Sequence, residues 1–340
     1  MVSAVLLAEI RTRYAWATVE PVGLLYGGEW NRVVQVATDR GPVVLRVAHP
    51  STAPASLAYS HAAMRFMGAR FPQVAPPIPQ QDGSTLLRVD GQLAALFPYL
   101  SGDRARSEEP RVLRGAARML AGLHGAALEW PARGHPVFRP LHQMDWDRNH
   151  LWDWEQVGAL LAGHECGVAG LNPATREELR AFTAALGREG LDLPRELATF
   201  REWIARLAGE RPLATGLIHG DYYPDNLLEE HGRITGVLDW DECRPEWLVY
   251  ELARATWEFC SEGESLGLPR ARSFVQAYCE AGGPVPEGEW DLLVPFIRYT
   301  RLEDALFALN EALRGGAWDG EHTEYHLCNL RALRRSTSSR

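Results

Sequence analysis

Lysine is absent: all 35 basic side chains among the 340 residues are arginine. Wherever an ammonium would ordinarily hold a phosphate, a planar five-donor guanidinium must serve instead. Cysteine is scarce. Cys166, Cys243, Cys260, Cys279 and Cys328 are odd in number, widely spaced and without a Cys-x-x-Cys pair, which argues against a zinc or redox motif and for reduced, mostly structural thiols. Long apolar runs are also missing. Arg, Glu or Pro breaks each one short of the roughly 20 residues that span a bilayer. The opening Met1-Val-Ser-Ala-Val-Leu-Leu-Ala-Glu-Ile10 lacks the basic start and longer apolar stretch of a signal peptide. These absences imply a cytoplasmic protein with no membrane partner.

What is present is an ordinary globular composition, 46% hydrophobic and 23% charged, enough for one large core or two moderate ones. The charge is uneven. Residues 1–100 hold 8 Arg against 6 Asp and Glu, and the remainder 27 against 38. The acidic part makes a poor surface for nucleic acid, whose binding is dominated by neutralised phosphates, but is compatible with a cationic small substrate. A monomer or homodimer acting on a small molecule is the expectation.

The first hundred residues read as a small β-rich lobe. Val33-Val-Gln-Val-Ala37 and Pro42-Val-Val-Leu-Arg-Val47 are joined by Thr38-Asp-Arg-Gly41, which is hairpin chemistry. A small-residue helix from Ala53 to Gly68 follows, then a second hairpin, Leu86–Val89 with Leu93–Phe97. Pro98-Tyr-Leu-Ser-Gly102 breaks the pattern. From Val112 the spacing of Val112, Ala116, Met119, Leu120 and Leu123 is helical, and helices dominate to the end. The exception is Leu217 to Trp240, where apolar strands bracket Glu229-Glu-His-Gly-Arg233 as a hairpin. The class is therefore α+β, with a lobe over 1–97, a hinge at 98–102, a mostly helical lobe over 103–333 and a flexible tail at 334–340.

The chemistry concentrates in His219-Gly-Asp-Tyr-Tyr-Pro-Asp-Asn226 and Val237-Leu-Asp-Trp-Asp241. Two loops joined by one hairpin carry several carboxylates and a carboxamide. Phosphoryl transfer calls for such a set: a carboxylate at the attacking hydroxyl, and oxygen ligands for the magnesium that bridges the nucleotide phosphates. The five-residue step from Asp221 to Asn226, with Asp239 beyond the hairpin, is the spacing of a kinase catalytic Asp, its metal-binding Asn and a second metal-binding Asp. The plain alternative is turn formation by Asp and Asn, which does not require both spacings together.

On these residues the chain resembles the aminoglycoside phosphotransferase, choline kinase and type II homoserine kinase superfamily, over roughly residues 20–310. The resemblance implies a two-lobed protein-kinase-like fold and an ATP- and Mg2+-dependent phosphotransferase acting on a small-molecule hydroxyl. It implies Asp221 as the catalytic base or hydroxyl-orienting residue, Asn226 and Asp239 as metal ligands, and His219 as a support of the loop. Gly23-Leu-Leu-Tyr-Gly-Gly-Glu-Trp-Asn31 resembles the nucleotide-covering turn, with Gly27 and Gly28 admitting phosphate. Arg46 stands where the ATP-binding lysine would be, and Phe97 and Tyr99 lie in the stretch resembling the adenine-holding hinge. Glu251 stands in for an Asp that buttresses the loop. One departure is plain: the helix that should supply a Glu partner for Arg46, Leu57-Ala-Tyr-Ser-His-Ala-Ala-Met-Arg-Phe-Met67, has no acidic residue, leaving direct phosphate contact, His61 or Ser60 to position the cation.

The acceptor is less legible. Asp241, Arg301 and Asp304 are the substrate-side candidates; Arg301 suits a carboxylate and the acids suit an amine. Tryptophans beside acids, as at Asp145-Trp-Asp147 and Trp152-Asp-Trp154, suit an ammonium or a sugar ring or simply a buried core. Aminoglycosides or other antibiotics, homoserine, choline and sugars stay open as acceptors. A stress-type Ser/Thr protein kinase is the alternative, though little chain separates Asp239 from Glu251 to form a peptide platform. A nucleotide-binding pseudokinase is another.

Overall fold

The computed structural model describes residues 2–25, 31–131, 134–164 and 170–335. Gly27, Gly28 and the end of the tail lie outside the described residues. The chain forms two compact units, Met1–Val137 with Leu217–Arg244, and Phe138–Gly216 with Pro245–Arg340.

The first unit opens with α1 (Ala4–Tyr14), whose N-terminus is capped by Ser3: its Oγ accepts from the Leu6 amide at 3.1 Å. Then come β1 (Val19–Leu24), β2 (Arg32–Thr38), β3 (Gly41–Val47), α2 (Pro54–Gly68), β4 (Leu87–Val89) and β5 (Gln92–Pro98). The strands form an antiparallel sheet in the order β1-β2-β3-β5-β4. Both expected hairpins and the helix between them are present. The sequence pattern did not announce α1 or β1, because β1 is an edge strand interrupted by Pro21 and Gly23, exposed along most of its length and irregular in register between those two residues.

Alternation along β3 sorts its side chains between two faces. Val43, Leu45 and Val47 join Val34, Val36, Leu87 and Leu96 in a core closed by Leu6, Ile10 and Tyr14 of α1; each such side chain, fully buried, contributes on the order of 1.5–3 kcal/mol. Val44 and Arg46 fall on the opposite face. The period of two thus places an arginine, flanked by core valines and leucine, where it is only partly buried.

The rest of this unit comprises β6 (Asp103–Arg104), α3 (Pro110–Ala127), the end of β7 (Thr215–Ile218), β8 (Leu227–Glu230) and β9 (Arg233–Val237). Strands β6, β8 and β9 form a second antiparallel sheet. The expected hairpin around Glu229–Arg233 is its β8–β9 pair. Helix α3 buries a continuous stripe, Val112, Leu113, Ala116, Leu120 and Leu123, and packs on β9.

The second unit is mainly helical: α4 (Trp154–Leu161), α5 (Pro173–Glu189), α6 (Leu193–Glu210), α7 (Leu248–Cys260), α8 (Leu268–Glu280), α9 (Leu293–Leu313) and α10 (Gly320–Arg335), with the strand β10 (Arg244–Trp247) entering α7. Helix α9 packs on α7, α10, α4 and α6, and Tyr250, Phe296 and Tyr299 meet in its core with tilted or edge-on rings. A short hairpin, β11 (Ser261–Glu262) with β12 (Ser265–Leu266), interrupts the helices; its two-residue strands are too short to show a sequence period. Among the described residues no helix is long and apolar enough to cross a membrane.

Candidate active site

The loop that follows β7 is built around a glycine. Gly220 has φ +88°, and a Cβ there would lie 2.4 Å from the Glu242 carbonyl oxygen, so conformation and space both demand the missing side chain. On either side of it the backbone is tied down. His219 Nε2 lies 2.8 Å from the Leu238 carbonyl oxygen, and His219 Nδ1 accepts from the Asp221 amide at 3.3 Å. A single tautomer, protonated at Nε2, satisfies both contacts. The ring thereby links the 219–226 loop to the residue before Asp239. Tyr222, buried, donates its Oη to the Ala116 carbonyl at 2.8 Å and fastens the same loop to α3.

Asn226 closes the loop on itself. Its Nδ2 donates to the Asp221 Oδ2 at 2.8 Å and to the Asp221 carbonyl at 2.9 Å, which leaves Oδ1 as the oxygen available to a cation. The Leu238 amide donates to the Asn226 carbonyl at 2.8 Å. The segment around Asp239 is anchored further by the Val237 amide on the Gln73 carbonyl at 2.9 Å and by Trp240 Nε1 on the Val237 carbonyl at 3.1 Å. Asp239 itself has φ +57°, a left-handed conformation that costs a non-glycine residue about 1–3 kcal/mol and persists only where its surroundings over-determine it.

Arg46 reaches this segment from β3. Its Nη1 donates to Asp241 Oδ1 at 2.8 Å, its Nη2 to Asp241 Oδ2 at 2.6 Å and to Asp239 Oδ1 at 2.8 Å. Burial works against the guanidinium charge, but the two carboxylates outweigh it and raise the Arg46 pKa. Burial raises Asp241; the guanidinium pulls it down and Asp239 pushes it back up, and the net direction is upward. Asp241 Oδ2 also accepts from Asn31 Nδ2 at 3.3 Å, and Asn31 Oδ1 accepts from the His49 amide at 3.1 Å.

A cavity of about 240 Å3 lies in this unit. Arg46, Phe97, Tyr99, Asn226 and Asp239, each singled out in the sequence, all line it, with Val33, Val44, Met64 and Leu238 as apolar walls. One rim is polar, carrying the Arg46 guanidinium, the Asn226 carboxamide and the Asp239 carboxylate, and the walls are apolar, the combination that suits a flat heteroaromatic base joined to phosphates. Arg104, which the sequence did not single out, also lines it and donates to the Asp225 carbonyl at 2.7 Å. Asn31 was visible only as the end of the glycine-rich segment; nothing local marks it as a partner of Asp241.

His61 and Ser60 do not supply the charge that α2 lacks. Ser60 Oγ donates to the Leu57 carbonyl of its own helix. His61 Nδ1 pairs with Thr85 Oγ1 at 2.8 Å, and burial, helped by Arg46, pushes its pKa down to about 4, so the ring is neutral. Arg301 and Asp304 belong to the helical unit, where Arg301 Nη2 bridges Asp304 at 2.8 Å and Glu258 at 2.6 Å and the guanidinium stands over the Trp257 ring at 5.2 Å. Glu251 is buried in α7 of the same unit.

Residues 23–293 match the model of a phosphotransferase enzyme family, known by the abbreviation APH. A homoserine kinase of Polaromonas naphthalenivorans (strain CJ2) is 30% identical over 254 residues, 74% of this chain and 70% of that protein. Among solved structures, an amicoumacin kinase in complex with AMP-PNP, Ca2+ and Ami superposes with TM-score 0.67 at 12% identity, covering 98% of this chain and 93% of that one. A microcompartment-associated aminopropanol kinase superposes with TM-score 0.65 at 19% identity, covering 99% and 98%. The likenesses to solved structures show the kinase-like fold.

Proposed function

This chain belongs to the phosphotransferase enzyme family, a small-molecule kinase with a hydroxyl acceptor, and we propose that it transfers the γ-phosphate of ATP, carried with Mg2+, to an amino alcohol of the homoserine type. The observation that carries the nucleotide half of this reading is the convergence of Arg46, Asn226 and Asp239 on one cavity, with Asn226 bonded to Asp221.

In this reading the cavity's apolar walls and the Phe97–Tyr99 stretch take the adenine, and Arg46 takes phosphate oxygens. Asn226 Oδ1 and Asp239 are hard oxygen donors of the kind Mg2+ prefers, and two such ligands suffice for an ion otherwise held by phosphates and water. When bound, the ion would neutralise charge on the transferring phosphoryl group. Asp221 receives the hydroxyl proton as the acceptor oxygen bonds to the γ-phosphorus and the bond to the β,γ-bridging oxygen breaks, releasing ADP. The Asn226 amide holds one Asp221 oxygen in place and so orients the carboxylate.

The acceptor assignment is supported by the homoserine kinase relative and by Arg301, buried at 1% exposure, whose Nε and Nη1 have no hydrogen-bond partner among the described residues. Those two donors lie on different edges of the guanidinium, on either side of the Nη2 that Glu258 and Asp304 occupy, so each can donate a single charge-assisted hydrogen bond to a carboxylate oxygen, while Asp304 and Glu258 offer charge for an amine. A cytoplasmic location, with ATP at hand and free thiols at Cys243, Cys260, Cys279 and Cys328, belongs to the same proposal, as does a hinge at 98–102. ADP release measured across homoserine, aminopropanols, choline, aminoglycosides, macrolides and sugars tests it. Turnover is expected with amino alcohols; turnover only with an antibiotic or a sugar would reject the acceptor, and phosphate appearing only on added protein would reject the class.

A further inference from the structure

Arg46 is the single cation that β3 presents to the cavity, and its own sheet and helix give it no counter-charge. Helix α2 contains no acidic residue between Pro54 and Gly68, and the ring of His61 is neutral. The carboxylates that face Arg46 come from the far side of the unit, 193 and 195 residues along the chain. They are used unequally. Asp241 gives both oxygens to the guanidinium in a two-pronged bridge at 2.8 and 2.6 Å, whereas Asp239 gives one. A bidentate pair fixes the plane of the guanidinium as well as its position. Asp241 is held in turn by Asn31, which precedes β2, and Asn31 by the His49 amide, which follows β3. The result is a closed ring of contacts, from β3 through Arg46 to Asp241, through Asn31, and back to the end of β3.

We propose that Asp241 is the positioning residue for the phosphate-binding arginine, with Asn31 fixing Asp241, and that the division of labour in the Asp239-Trp-Asp241 segment is one carboxylate for the cation and one for Arg46. This rests on the phosphotransfer reading above but not on the acceptor. Asp241 acts through Arg46, so its removal matters only while Arg46 is there to be misplaced.

The test is a double-mutant cycle on the full chain, read by binding of a fluorescent ATP analogue in EDTA, so that neither metal nor acceptor enters. Asp241→Asn is expected to weaken binding severalfold in the wild-type background and not at all in the Arg46→Met background, where only relief of repulsion with the phosphates remains. Asp241→Glu should restore part of the loss. Should Asp241→Asn unfold the chain, Asn31→Ala gives a milder version with the same expected dependence on Arg46. Equal weakening in both backgrounds, or no weakening in the wild type, overturns the proposal. Failure of the wild-type chain to bind the nucleotide overturns the phosphotransfer reading itself, a result distinct from binding without coupling.

Discussion

Asn226 and Asp221 are joined twice, the Asn226 carboxamide donating both to the Asp221 side chain at 2.8 Å and to its backbone carbonyl at 2.9 Å. The five-residue step between them is therefore a closed loop, in which the residue proposed to hold the metal also sets the rotamer of the residue proposed to take the proton.

Asp221→Asn should lower kcat by roughly 10^2–10^4-fold, the usual worth of a positioned general base, while ATP-analogue affinity changes little. Asn226→Ala should lower kcat and also raise the Mg2+ concentration needed for half-maximal rate. Steady-state kinetics with a metal titration separates the two; equal loss of nucleotide binding in Asp221→Asn would remove Asp221 from the chemical step.

Gly220→Ala places a methyl against the Glu242 carbonyl at a distance of 2.4 Å and a backbone angle of +88°. The backbone strain alone is of order 1–3 kcal/mol, and the clash adds to it. Urea unfolding should show a lowered midpoint with an unchanged slope, and activity should fall more than nucleotide binding because the loop carrying Asp221 must shift.

Acid should destabilise the fold before the carboxylates are protonated. Burial drives the pKa of His61, His135 and His326 down to about 4, and all three are at most 6% exposed. The unfolded chain takes up these protons near pH 6.5 and the folded chain only near pH 4. Their neutral burial thus carries no protonation cost above pH 6.5, and stability is lost as pH falls from there towards 4, on the order of 1–3 kcal/mol per histidine. Urea midpoints at pH 7, 6, 5 and 4.5 should fall steadily, and His61→Gln should flatten part of the slope.

Arg301→Met should raise KM for homoserine roughly tenfold, the worth of one charge-assisted contact, and leave KM for 3-aminopropanol, the same molecule without its carboxylate, nearly unchanged. A parallel rise for both acceptors would assign Arg301 to the packing of α9 over Trp257 rather than to substrate.

Much of the site could be read from local pattern. Asp221, Asn226 and Asp239 follow from spacing, because a tight loop and a hairpin are made by neighbours in sequence and their chemistry is dictated by reach. The alternation along Val43–Val47 sends Arg46 to the cavity side for the same reason: side chains in a strand point to opposite faces by turns. The β11–β12 hairpin and β1 were not legible, since two-residue strands and a Pro- and Gly-interrupted edge carry no period. Arg301 and Asp304 could be named, but their mutual bridge with Glu258 depends on how α7 and α9 pack.

The absence of lysine, and of any acid in α2, is fixed by the sequence alone, and so is the need for some other partner for Arg46. Which partner it finds was decided only by the tertiary structure. Asp241 and Asn31 lie 195 and 15 residues from Arg46 and 210 from each other, and no periodicity links them. Their meeting depends on the sheet and the 237–241 segment packing into one unit, where a partly buried guanidinium is held by the carboxylates that the fold brings within reach.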